Sequence, residues 1–223
     1  MSADAIVNTA LAQEGLSYGA DRMPYLALCY AGDTAQDAAE MGRRQSSCGL
    51  VARGILRIAE VDGGLIWQGV AVDVLRDPYA RLMQHGCYAI TLLETLGRDR
   101  QLWVPAREGG DPQPGDIIVI GADTPGWGGG EHVLTCVDRD GDLVESIDGG
   151  QTDPANGGHS TAVRKRQRTL VRVPGTEELW LASAPQLAEG RPVNGRRIQG
   201  WLRAGELPCV AGLPYVFRTR PAV

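Results

Sequence analysis

"EHVLTCVDRDGDLVESIDGG", residues 131–150, is the stretch on which the reading of this chain turns. Two runs of alternating polarity flank an Asp-Gly pair, the signature of an antiparallel hairpin. Its register decides which side chains share a face, because a slip of one residue sends every side chain to the other side. With Arg139, Asp140 and Gly141 as a three-residue loop and Gly141 left-handed, Asp138 faces Asp142, and His132 lies directly opposite Asp148. Opposed Cβ atoms then stand roughly 5 Å apart, close enough for a carboxylate to fix an imidazole tautomer. With Asp140-Gly141 as a two-residue turn, Asp148 faces Val133 and the contact is lost. The sequence permits both registers; the chemistry favours the first.

Upstream, "QSSCGLVARGIL", residues 45–56, opens the strongest helical pattern, over residues 48–60. Arg53, Arg57 and Glu60 form a narrow polar stripe, and Leu50, Val51, Ile55 and Leu56 belong to the apolar remainder, so the helix is a central one. Ser46 and Ser47 are N-cap candidates. Cys48 then falls in the first turn, where unpaired N–H groups and the helix dipole favour a thiolate and can hold an oxyanion. The plain alternative is a small residue filling space under a helix start. Residues 4–16 read as a short amphipathic helix and 18–44 as irregular. A second long helix is expected over residues 78–96, with Gly97 as its cap.

Downstream the pattern becomes β. "PQPGDIIVIG" (112–121) is a turn and a buried strand, "STAVRKRQRTLVRV" (160–173) another strand, and "RRIQGWLRAGELP" (196–208) a closing strand with Trp201 in the core. Helices followed by an antiparallel sheet predict an α+β domain. Residues 1–223 are expected to form one domain, 1–110 mainly helical and 111–223 mainly β.

Composition narrows the function. Hydrophobic residues make up 43% and charged residues 22% of the 223, and the formal net charge of −5 argues against a nucleic-acid partner. No run reaches the roughly 18 apolar residues that span a bilayer, so no membrane partner is expected. "MSADAIVNTALAQEGL" lacks the form of a signal peptide, which suggests a chain cytoplasmic as synthesised, with delivery to the cell wall by a leaderless route as the alternative. Cys29, Cys48, Cys87, Cys136 and Cys209 are scattered, as are His85, His132 and His159. That spacing calls for neither a metal nor a cofactor.

A nucleophilic thiol needs a base, and the base an orienter. Cys48, His132 and Asp148 are the candidates, with Glu145 and Gln151 as alternatives for the third position. Trp127, in the Gly-rich loop before His132, is a candidate either for lining a substrate cleft or for pinning the loop. Alternation puts Arg164, Arg166 and Arg168 on one strand face, either as a solvated face or as a clamp for a carboxylate.

These motifs, taken in order, resemble the NlpC/P60 and CHAP group of papain-like cysteine peptidases and amidases. The likeness is carried by "IVNTALAQEGLSYG", "SSCGLVARG", "PQPGDIIVIG", "EHVLTCV" and "SIDGG" across residues 5 to 150. It departs from the family in having Ser47 before Cys48, Gly49 directly after it, and a long insert upstream. The resemblance implies a papain-like fold with the cysteine helix packed on an antiparallel β-sheet, and Cys48, His132 and Asp148 as nucleophile, base and orienter. It also implies a site tyrosine, for which Tyr18, Tyr25 and Tyr30 are candidates and Tyr18 the first choice. The implied activity is amide hydrolysis on bacterial cell-wall peptides, with peptide or peptidoglycan fragments as partners. Acyl transfer or deamidation at the same site, or a catalytically silent peptide-binding module, are the alternatives.

Overall fold

A computed structural model of the chain describes residues 2–30, 47–61, 97–98, 101–108, 110–121 and 132–209. Among the described residues, the helices with both ends placed are α1 (Ser2–Leu11), α2 (Arg22–Tyr30) and α3 (Cys48–Ile58), and they come first. Nine strands follow: β1 (Trp103–Pro105), β2 (Ile117–Gly121), β3 (His132–Asp140), β4 (Leu143–Asp153), β5 (His159–Arg172), β6 (Leu179–Ala182), β7 (Leu187–Ala188), β8 (Arg191–Pro192) and β9 (Arg196–Leu202). The helix expected over residues 78–96 lies outside the described residues.

The α+β, papain-like expectation is corrected. Six strands run in the order β9-β2-β3-β4-β5-β6, and β6 pairs back onto β9 through Trp180–Arg197 and Leu181–Arg196. The result is a closed antiparallel β-barrel, and the described residues are mainly β. Closure changes what the sheet needs from its helices. An open sheet must cover its faces with other elements, whereas a barrel buries one face against itself. Ile118, Ile120, Leu134, Cys136 and Trp201 fill that interior. The opposite face of β2, β3 and β4, through Ile117, Val119, Val133 and Ile147, seats α3. The strand "IIVIG" is apolar at consecutive positions because both of its faces are buried. β1 pairs with β9 although it precedes residue 110, so the sheet draws on the part of the chain expected to be helical.

α3 is buried along nearly its whole length, its arginines included. The polar stripe does not face water. Arg53 donates to the Cys29 carbonyl at 2.6 Å, and Arg57 to those of Ala27 and Leu28 at 2.8 and 2.9 Å. They satisfy carbonyls that the end of α2 leaves open. α2 itself forms inside the stretch expected to be irregular. The two helices cross at Gly54, where a Cβ would meet the Leu28 carbonyl oxygen at 2.1 Å.

The hairpin matches neither expected register. Asp140 pairs with Leu143, so the turn residues are Gly141, left-handed as expected, and Asp142. A β-bulge at Val137 then shifts the ladder, and beyond it Leu134 pairs with Asp148. The extra residue reverses the parity set by the turn. Asp148 therefore returns to the face of Leu134 and His132.

Candidate active site

α3 delivers Cys48 to the β3–β4 pair because the helix can come very close to it. A Cβ on Gly149 would meet Val51 Cβ at 2.5 Å, so only glycine lets the first turn of α3 lie on this part of β4. Ser47 occupies the N-cap position without capping through its side chain. Its hydroxyl oxygen instead accepts the Gly150 N–H at 3.1 Å and ties the helix start to the residue pair after Asp148. The expected side-chain cap is corrected to a tether between helix and strand.

His132 is the first residue of β3. Its Nε2 lies 2.9 Å from Asp148 Oδ2, which leaves Nδ1 as the nitrogen for the Cys48 thiol that also hydrogen-bonds the ring. Cys48 and Asp148 are buried, and His132 is nearly so. Burial pulls the imidazole pKa down. The hydrogen bond to Asp148, followed by that to Cys48 and the charges of both, outweighs burial and raises it to about 9. The ring is thus poised to carry a proton at neutral pH.

Asp148 is ionised in a place where an isolated carboxylate would be neutral. Burial raises its pKa, yet the His132 hydrogen bond and the Arg168 charge lower it to about 2. Arg168 binds it with both nitrogens, at 2.6 Å to Oδ2 and 3.3 Å to Oδ1. Ser146 Oγ donates to Oδ1 at 2.6 Å. The sequence reading did not assign these two residues to the site. The signal was the alternation Arg164, Arg166, Arg168, read as a possible carboxylate clamp; the carboxylate that Arg168 holds belongs to the protein itself.

The other candidates are placed elsewhere. Glu145 pairs with Lys165 at 2.5 Å; it lies an odd number of positions from Asp148 and so on the opposite face of β4. Gln151 accepts from Arg166 at 3.1 and 3.2 Å. Tyr18 belongs to the same core cluster as Cys48, meets Tyr25 edge-on at 6.3 Å, and lies under the Arg22 guanidinium. Trp127 lies outside the described residues, as do His85 and Cys87.

The remaining described cysteines lie away from His132 and Asp148. Burial pushes Cys29 and Cys136 up to about 12, which keeps both as thiols at neutral pH. Cys209 is exposed, 3.2 Å from Ser2 Oγ. Among the described residues, no three His, Cys, Asp or Glu side chains converge as metal ligands, and no helix is long and apolar enough to cross a membrane.

The chain matches no family model, no curated protein and no solved structure. The functional reading therefore stands on the residues themselves.

Proposed function

We propose that this chain is a cysteine-dependent amide hydrolase acting on peptides, with bacterial cell-wall peptides as its substrate class. The observation that carries the reading is the continuous Cys48–His132–Asp148 hydrogen-bond chain at the start of a buried helix. A thiol, a base and an orienter in contact are the parts that nucleophilic acyl transfer requires. The choice of wall peptides rests on the order of the sequence motifs in residues 5 to 150 alone, since the barrel is not the papain-like fold that their resemblance implies.

The Cys48 thiolate attacks the amide carbonyl carbon, and the carbonyl oxygen gathers the negative charge. N–H groups in the first turn of α3 hydrogen-bond that oxygen. As the C–N bond breaks, His132 gives its proton to the departing amine, leaving a thioester on Cys48. Water then attacks the thioester while His132 takes its proton. The C–S bond breaks, the acid leaves, and the thiolate–imidazolium pair is restored. Asp148 holds the ring orientation through both halves without taking up a proton.

The test is incubation with a panel of wall peptides, including one with D-glutamate linked to a diamino acid, read by mass spectrometry. One new acid and one new amine per bond are expected, with a loss of roughly 10³-fold or more in Cys48→Ala. Cleavage that continues undiminished in Cys48→Ala refutes the reading. Product that appears as an amide or a transferred acyl group in place of free acid points to acyl transfer instead.

A further inference from the structure

We propose that Arg168 is a positioning residue of this site: its guanidinium grips the Asp148 carboxylate against the imidazole and brings the group Cys48, His132, Asp148 and Arg168 to zero net charge when the thiolate–imidazolium pair forms. The inference rests on the reading of Cys48 as the nucleophile.

The geometry is a fork on a fork. Arg168 contributes one nitrogen to each oxygen of Asp148, and its second nitrogen also reaches Ser146 Oγ at 2.9 Å. Each carboxylate oxygen thereby has two partners, Arg168 and His132 on Oδ2, Arg168 and Ser146 on Oδ1. Rotating the carboxylate away from His132 breaks several charge-assisted bonds at once. Planar bidentate binding is a property of arginine that lysine does not reproduce.

The charge count gives the second role. A buried thiolate, imidazolium and carboxylate together carry one negative charge, which a buried site disfavours. Arg168 cancels it. The other charged groups nearby have their own partners. Arg164 stands opposite Asp148 across the β4–β5 ladder and donates to the carbonyls of Gly15 and Val163. Arg166 stands opposite Ser146 and holds Gln151. From α3, Arg53 and Arg57 turn to α2, and Glu145 with Lys165 lies on the other face of the strands. On β3, the next positions on the His132 face are Leu134 and Cys136, both in the barrel interior.

The test measures Cys48 alkylation by iodoacetamide against pH in the full chain carrying Cys209→Ser, so no substrate is needed. In Arg168→Gln the midpoint for Cys48 should rise by about one pH unit, since a full charge held on Asp148, beyond the imidazole, still acts on the thiolate across a mostly buried site. Arg168→Lys keeps the charge and should hold the midpoint within about 0.3 units, while losing the fork and roughly tenfold in kcat with little change in KM. The double variant Asp148→Asn/Arg168→Gln is again neutral, and its midpoint should return toward that of the parent. A purely structural arginine lowers the folded fraction but leaves the midpoint of the folded protein in place. A folded Arg168→Gln protein with an unmoved midpoint, or a double variant displaced further, overturns the proposal. Should Arg168→Gln not fold, a midpoint displaced by about one unit in Arg168→Lys does so. An alkaline shift without hydrolysis of any peptide sinks the hydrolase reading and leaves the role of Arg168 intact.

Discussion

At its tip the β3–β4 hairpin turns through Gly141 and Asp142, and the charges nearby, Glu145 with Lys165 and Arg139 with Asp111, are partly open to water. At its base the same two strands hold His132 and Asp148 in a buried set with Arg168 and Ser146. One ladder thus carries two electrostatic regimes. At the tip, water and salt screen each pair, and a lost partner is replaced by solvent. At the base, a lost partner leaves the fully buried Asp148 carboxylate with less to offset its burial. The bulge at Val137 lies between them and decides which carboxylate enters which regime.

The largest expected effect comes from breaking the base. Asp148→Asn should lower kcat by roughly 10²–10⁴-fold, because the amide can settle the wrong imidazole tautomer. It should also destabilise the fold by about 1.5–3 kcal/mol, because the charge-assisted hydrogen bonds that join the buried carboxylate to His132 and to the partly exposed Arg168 are weakened. Urea unfolding and steady-state kinetics measure both, and a folded variant of near-parental activity contradicts the triad.

Gly149→Ala sharpens the comparison through geometry alone. The added methyl meets Val51 Cβ at 2.5 Å, so α3 must lift from β4 and carry Cys48 with it. A loss of about 1–3 kcal/mol is expected, with kcat falling alongside. An unchanged Tm and kcat would show that the close approach is not needed.

The base should also dominate the pH dependence. His132 has its pKa raised from 6.5 to about 9, so its contribution to stability is complete below the ordinary value and is lost as pH rises through 9. Asp148 is lowered from 3.8 to about 2, so its share is present above the ordinary value and lost as pH falls through 2. Activity should decline above pH 9, where the imidazolium no longer has a proton for the leaving amine. A decline centred near the ordinary value of 6.5 would mean that Asp148 does not support the ring.

The smallest effect belongs to the tip. Glu145→Gln should leave Tm within about 2 °C and kcat unchanged, because an exposed pair contributes little. A loss comparable to that of Asp148→Asn would make Glu145 the orienter.

Much of the site was legible because its signals are local. A cysteine behind two serines and ahead of an apolar run places a thiol at a helix start. A histidine opening an alternating run places an imidazole at a strand end. The contact between His132 and Asp148 was anticipated through a register that does not occur. The actual turn is one residue further along, and the bulge restores the parity. Nothing in "TCVDRD" announces that bulge, because bulges follow from how neighbouring strands pack; here Cys136 binds the turn before β2 through the Gly115 N–H and the Asp116 carbonyl. Arg168 was legible as one of three arginines on a strand face. Which of the three meets a carboxylate depends on side-chain reach across the β4–β5 ladder, which a one-dimensional pattern does not encode.

The sequence by itself determined the elements that carry the chemistry, because periodicity, turn residues and helix starts act over a few neighbours. Tertiary structure alone decided that β6 closes onto β9, that Gly149 admits α3 against β4, and that Arg168 neutralises Asp148. Each of these joins residues remote in sequence or depends on a close approach between separate elements, and only long-range packing in three dimensions settles such pairings.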